Sequence, residues 1–452
     1  MAEEKKELKG MDALAKDYER EPVPETLQKS WWSTGLVFGG IAACLAALMV
    51  GGLVASMLNL KDAIIAITCG CLITTVIGSI TSVVGSRLNL STAMITRFAF
   101  GDWGVYLVAL VLAFGSYGWF AVQLGLFGET AKASWGILSG VTPGTVGLWL
   151  FIILGGLAMI SSAVFGYKSL AWLSYIALVP IVGIMIASVV MVLTAHPWGE
   201  LLMHAPPNPA PMAAAIALVG GGFMVGAVIG PDVSRYAKNA GHAVGGVVLG
   251  FLVFQIVFIY MGAILAHAVN NWDVVNIMLG LGWGILGMLV LILAQWTTND
   301  NNLYSAALAF AVIFRRWPKW WLTLGAGVIG ILLALGGIYG QFPNWLMFLG
   351  ILIPPIAGIY AADYFVVNRD FYKFENLPKA AKARWLMLAT WVVSSFIGLC
   401  TTPAGAAPGA LGWFKITTIP AIDTFLVSFV LAIIVGWVDK KVRGGWPEAT
   451  PA

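Results

Sequence analysis

Charge is scarce in this chain: Asp, Glu, Lys and Arg make up 10% of its 452 residues, against about 25% in an ordinary soluble domain. No water-exposed globule can be built on that allowance. Cysteine is equally sparse. Cys44, Cys69, Cys71 and Cys400 lie in or beside apolar runs, and the single residue between Cys69 and Cys71 is the wrong spacing for a zinc knuckle. Neither a disulfide framework nor a structural zinc site is implied. The four histidines, His196, His204, His242 and His267, fall in loops or at the ends of apolar runs, so no imidazole relay crosses them. No nucleophile stands beside a base and no metal cluster is spaced for ligation, which argues against an enzyme. The first 29 residues are rich in charge and have neither the short apolar core nor the cleavage site of a secretory signal.

What is present is apolar. The hydrophobic share is 60% and the mean hydropathy +0.88, the composition of a polytopic membrane protein. Runs long enough to cross a ~30 Å hydrocarbon layer place twelve spans at 33–58, 63–86, 104–130, 144–165, 169–194, 213–236, 243–268, 282–313, 320–341, 343–366, 384–402 and 419–438. The positive-inside rule tests the count independently. With the N-terminus cytoplasmic, all but Lys61, Lys132 and Lys415 of the 25 Lys and Arg fall on the inner side. The formal net charge of +4 follows from this topology and gives no sign of nucleic-acid binding. Residues 1–32 and 439–452 read as cytoplasmic tails, and the protein as resident in the cell's inner (plasma) membrane.

One polar block interrupts the hydrocarbon. Residues 294–305 read Ala-Gln-Trp-Thr-Thr-Asn-Asp-Asn-Asn-Leu-Tyr-Ser, and an unbroken intramembrane run of this kind marks a binding site. At ~100° per residue, Ala294, Thr297 and Thr298 share a helix face. Asp300 is expected one turn on and near that face, and Asn299 on the adjoining one. A second site candidate is Trp119, more than halfway across span 3, with Ser116 at i−3 and Gln123 at i+4. Such a face can stack a flat ring and bond its edge.

Glycine supplies the breaks. Span 1 carries Gly39-Gly40 and Gly51-Gly52, and span 6 carries Gly220-Gly221-Gly222, each glycine costing about 1 kcal/mol in a helix interior. The second pair suits close packing. The first pair and the triplet predict local unwinding that exposes backbone. Five spans separate the two interrupted helices, so spans 1–5 (33–194) and 6–10 (213–366) enter from opposite sides. They fit an inverted repeat with its site at the bilayer midplane. Ile353-Pro354-Pro355 predicts a bend in span 10, with Asp363 near the cytoplasmic surface. Pro231-Asp232 and Arg235 suit a helix-end contact. Spans 11 and 12 (384–438) read as scaffold or an oligomer contact.

Together, Trp296-Thr297-Thr298-Asn299-Asp300-Asn301, Gly118-Trp119-Phe120, Pro231-Asp232-Val233-Ser234-Arg235-Tyr236, Ile353-Pro354-Pro355 and Ala362-Asp363-Tyr364 resemble the nucleobase:cation symporter family of cytosine permeases, purine permeases and hydantoin transporters. The resemblance covers spans 1 to 10. It implies a LeuT-type fold of two inverted five-helix repeats, alternating access, and a Na⁺ site. The implied ligands are the carbonyls of Gly40, Ala43 and Ala294 and the hydroxyls of Thr297 and Thr298. It implies a flat heterocycle between Trp119 and Phe223, with its edge read by Asn299, Ser116 and backbone from Gly221 and Gly222 to Val225. Gln123 looks like the hydantoin transporter at its position.

The resulting reading is a symporter of cytosine or a purine driven by Na⁺. Its alternatives are a hydantoin, allantoin or hydroxymethylpyrimidine carrier, proton coupling through Asp300, or a non-transporting nucleobase sensor. A channel would need a continuous polar pore, which the clustering at one depth does not supply. The expected partners are the substrate and the lipid bilayer, in a monomer or weak oligomer.

Overall fold

A computed structural model describes residues 18 and 21–442, apart from 43, 166, 204–205, 207–208, 315–316 and 318. Among the described residues every regular element is helical, and the β pairing is an isolated bridge between Lys29 and Ala237. The elements used below are α1 (Trp31–Ala42), α2 (Leu45–Met57), α3 (Leu60–Leu88), α4 (Thr92–Ser139), α5 (Thr145–Phe165), α6 (Tyr167–Ala195), α7 (Met212–Gly222), α8 (Met224–Val228), α9 (Gly230–Ser234), α10 (Ala240–Val269), α11 (Val274–Gly280), α12 (Gly284–Ile313), α13 (Lys319–Leu335), α14 (Phe342–Leu352), α15 (Pro354–Ala362), α16 (Trp385–Thr401) and α17 (Pro420–Val442).

By length and hydropathy alone, six stretches among the described residues can each cross a membrane, and the pair α1–α2, bent by 59°, makes a seventh crossing. Shorter apolar helices at Pro180–Ala195, Met212–Gly222, Trp320–Leu335 and Trp385–Thr401 fall within four more of the expected spans. The stretch 86–103, between expected spans 2 and 3, is largely helical. It forms the start of α4 and joins the crossing at Gly101, whose φ of 82° is left-handed and whose missing Cβ would lie 2.6 Å from the Ala381 carbonyl.

The breaks fall beside the glycines rather than on them. Gly39 and Gly40 are helical, and α1 ends at Ala42, with Cys44 extended at φ −127° and ψ 167°. Likewise Gly220–Gly222 complete α7, and the chain leaves helical geometry at Phe223, φ −111° and ψ 11°. Close approach is what Gly39, Gly51 and Gly221 provide. A Cβ on Gly221 would lie 2.2 Å from the Leu346 carbonyl of α14, and one on Gly51 would lie 2.0 Å from the Ile259 carbonyl of α10. Packing thus selects Gly221 and Gly51, whereas a Cβ on Gly40 or Gly220 would meet nothing closer than 3.9 Å.

Helix pairing repeats internally. Broken α1–α2 lies along α10 as broken α7–α9 lies along α3; α4 packs on α5 as α12 packs on α13; α6 meets α12 as α15 meets α4. The α4–α12 and α5–α13 contacts are the pairs that such an exchange maps onto themselves. This is the packing of two five-helix repeats of opposite sense, with α16 and α17 outside on α15.

Each end of the bundle is tied by charge. At one end Arg384, fully buried, donates to Asp363 and Asp439 at 2.8 Å each and to the Phe98 carbonyl at 3.1 Å. Tyr372 and Asn368 also donate to Asp363. Burial, then the Asp363 carboxylate, raises the Tyr372 hydroxyl well above the usual phenol range, which keeps it a donor. Asp363 is therefore a buried hub. Asp232 accepts from the Thr92 amide while Arg235 donates back to the Asp232 carbonyl, the expected helix-end contact. The stretch just ahead of α1 is docked rather than solvated: Val23 is buried and donates to the Asn89 carbonyl. At the opposite end Tyr339 donates to Asp273, and Lys132 pairs with Glu129 at 3.3 Å around a cleft of about 310 Å³.

Candidate substrate and cation site

Helix α12 distributes its polar run over two faces. Thr297 and Thr298 donate to the Ala294 carbonyl at 3.0 and 2.9 Å, as their i+3 and i+4 spacing dictates. Ala294 is buried in the cluster that holds Leu45 and Met49 of α2, while both threonines remain half-buried and reachable. Three neutral oxygens therefore converge on one spot on a helix that contacts α2. Hard oxygens without formal charge suit an alkali cation better than a transition metal.

Of the two ligands expected from span 1, Gly40 lies in the last turn of α1, where helix carbonyls lack intrahelical partners. It is exposed, and a Cβ there would meet nothing within 4 Å. Ala43 lies outside the described residues.

The other face of α12 is committed to packing. Gln295 donates to Thr130 at 3.1 Å, and Asn299 donates to the Phe120 carbonyl at 3.2 Å and to the Met159 sulfur at 3.4 Å. Trp296 donates to Ser162, which donates to Asp300 at 2.8 Å. Asp300 thus faces α5, away from the threonine cluster it was expected to adjoin. Asn299 likewise has its amide engaged between α4 and α5, with its oxygen accepting from Asn302 at 3.3 Å. Ser162 is the member of this set that sequence reading missed; its only signal was a Ser161-Ser162 pair in span 4.

Across the core, Trp119 is half-buried, its ring 5.8 Å from that of Phe342 and inclined at 71°. Gly118 makes room for Trp345, whose ring would lie 1.9 Å from an added Cβ. Ser116 bonds back to the Leu112 carbonyl at 3.3 Å. One turn before Trp119, a Cβ on Gly115 would lie 3.0 Å from Val225, so α8 sits against the Trp119 face of α4. Phe223 is 7% exposed, at the α7–α8 break, and Gly222 lies between Leu346 and Val50. Gln123 is 1% exposed and its side-chain oxygen accepts no hydrogen bond among the described residues. A buried acceptor left open costs ~1–3 kcal/mol.

The family model for permeases of cytosine/purines, uracil, thiamine and allantoin matches residues 22–431. The chain is 29% identical over 373 residues to a cytosine permease of Escherichia coli strain K12, covering 82% of this chain and 86% of that protein. It is 23% identical over 400 residues to a hydantoin permease of Microbacterium maritypicum, covering 82% and 81%. Its fold matches the inward-facing conformation of Mhp1 with a TM-score of 0.80 at 21% identity, over 97% of this chain and 96% of that one. The match to Mhp1 in a closed conformation with bromovinylhydantoin bound has a TM-score of 0.75 at 20% identity, over 95% and 97%.

Proposed function

This multi-pass membrane protein belongs to the family of permeases for cytosine/purines, uracil, thiamine and allantoin, and from that premise we propose that it carries cytosine or a purine across the membrane together with Na⁺, by alternating access. It is a transporter and not an enzyme. Convergence of Thr297 and Thr298 on the Ala294 carbonyl is the observation that carries the coupling. With the carbonyls of Gly40 and Ala43 this set makes five oxygens, and an ion held there fastens α1 to α12. Because it would bind the outward-facing arrangement better than the inward one, it draws the population toward the substrate-ready state.

The heterocycle stacks between Trp119 and Phe223, near the backbone of Gly221, Gly222 and Val225 and the hydroxyl of Ser116. Asn299 can read its edge only by releasing Phe120, so Gln123 is the readier partner. The open acceptor of Gln123 can receive a ring N–H, which nucleobases and hydantoins both carry, and the likeness to a hydantoin permease supplies the second substrate reading, a hydantoin. Residues 33–194 and 213–366 form the two repeats, both tails face the cytoplasm of the plasma membrane, and the unit is a monomer or weak oligomer.

Uptake into vesicles of the purified protein tests this. An inward Na⁺ gradient should concentrate radiolabelled cytosine above its outside level, and choline in place of Na⁺ should abolish the gain. Accumulation driven by a pH gradient alone would transfer the coupling to Asp300. Within the same assay Trp119→Ala should weaken binding by about 5- to 150-fold, the value of one base–aromatic stack, and Trp119→Phe should retain most of it.

A further inference from the structure

The junction between α4 and α16, on the side assigned to the cytoplasm, carries a cavity that lies outside the proposed substrate and cation sites. An open cavity of about 490 Å³ is lined by Trp103, Lys382, Ala383 and Trp385. Trp103 is 64% exposed and Trp385 71%, although both stand at the starts of membrane-crossing stretches rather than in a long solvated loop. Indoles placed so belong at the level of lipid headgroups.

Between them the Lys382 side chain is exposed and, among the described residues, makes no hydrogen bond or ion pair. Its cationic neighbours are engaged: Arg97 pairs with Asp102 at 2.6 Å, Arg384 with Asp363 and Asp439, and Lys440 lies over the Trp437 ring. One positive charge without a partner among the described residues therefore lines the cavity between two aromatic walls. The walls are held in place. Asp102 and Trp103 donate main-chain bonds to the Ala381 and Lys382 carbonyls at 3.0 and 2.8 Å, and the Arg384 amide donates to the Phe100 carbonyl at 3.0 Å. Gly101, with no room for a Cβ against Ala381, permits that contact.

We propose that this cavity binds the phosphate of an anionic phospholipid from the cytoplasmic leaflet. The Lys382 ammonium meets the phosphate, the indole N–H groups of Trp103 and Trp385 meet headgroup and glycerol oxygens, and the ring bodies lie along the first carbons of the chains. Basic pockets between membrane helices on this side select anionic headgroups, each Lys contributing about five-fold in affinity near the surface. The bound lipid bridges α4 and α16 beside the Arg384 network and so braces that junction.

Native mass spectrometry of the full-length protein in detergent, titrated with phosphatidylglycerol or phosphatidylcholine, tests the assignment. Phosphatidylglycerol should occupy one site in preference to phosphatidylcholine. Lys382→Gln should weaken that site by about five-fold, and Lys382→Arg should preserve it. Lys373→Gln, at an exposed lysine elsewhere on the same side, should leave it unchanged. Trp385→Leu, also at an exposed position, should weaken it independently of charge. Equal retention of both lipids, or equal losses in Lys382→Gln and Lys373→Gln, would overturn the proposal. Displacement by millimolar glycerol 3-phosphate would also overturn it, because the site would then be one for soluble phosphate esters.

Discussion

Arg384→Met lowers the stability of the folded protein by about 3–5 kcal/mol, the cost of leaving buried carboxylates without their cation. Asp363 and Asp439 are 0% and 4% exposed, and the guanidinium is the cation bonded to both. Asp363 keeps Tyr372 and Asn368 as donors after the change. The change also releases Phe98, and with it the start of α4, from the ends of α15 and α17. Thermal denaturation in detergent reads the effect. Adding Asp363→Asn and Asp439→Asn to Arg384→Met should recover much of it, since a neutral set needs no counter-charge. A triple variant no more stable than the single one would show that packing, not charge, dominates here.

Thr298→Ala raises the Na⁺ concentration needed for half-maximal substrate binding by about 10- to 150-fold, taking one charge-assisted oxygen contact as ~1.5–3 kcal/mol. The alternative role of the hydroxyl, a bond back to its own helix, is worth only ~0.6 kcal/mol in a membrane and would not alter sodium dependence. Thr298→Ser restores the oxygen and should restore the affinity. Thr297→Ala should behave like Thr298→Ala, because both hydroxyls meet the Ala294 carbonyl. Sodium titrations of substrate binding on purified protein measure both, and an unshifted titration in either alanine variant removes that residue from the ion site.

The fold was legible because hydropathy, positive charge and glycine placement are each periodic or additive along the chain. Spans 3 and 8 lie where α4 and α12 run, and spans 1 and 6 do break. Where they break was misplaced, since Gly39 and Gly221 are held to glycine by Phe254 and Leu346, partners more than a hundred residues distant. The same holds for side-chain commitments. A helical wheel puts Thr297 and Thr298 beside Ala294 from spacing alone, but it cannot say that Asn299 meets Phe120 and Met159 or that Asp300 meets Ser162. Spans 11 and 12 looked inert because Arg384 and Asp439 sit at their ends, where charge reads as solvated until tertiary contact buries it.

The central claim, a nucleobase site strengthened by Na⁺, is tested most directly by thermal stabilisation of the purified protein. The ligands are cytosine, uracil, adenine, hypoxanthine, allantoin, benzyl-hydantoin and hydroxymethylpyrimidine, each in Na⁺ or in choline. A ligand at 100 times its Kd adds about 2.7 kcal/mol to the folded state. The account predicts that cytosine or a purine stands clear of the others, and more so in Na⁺. A hydantoin in that place would make Gln123 the determinant of substrate. Equal stabilisation in Na⁺ and choline, or none by any ring, would contradict the claim.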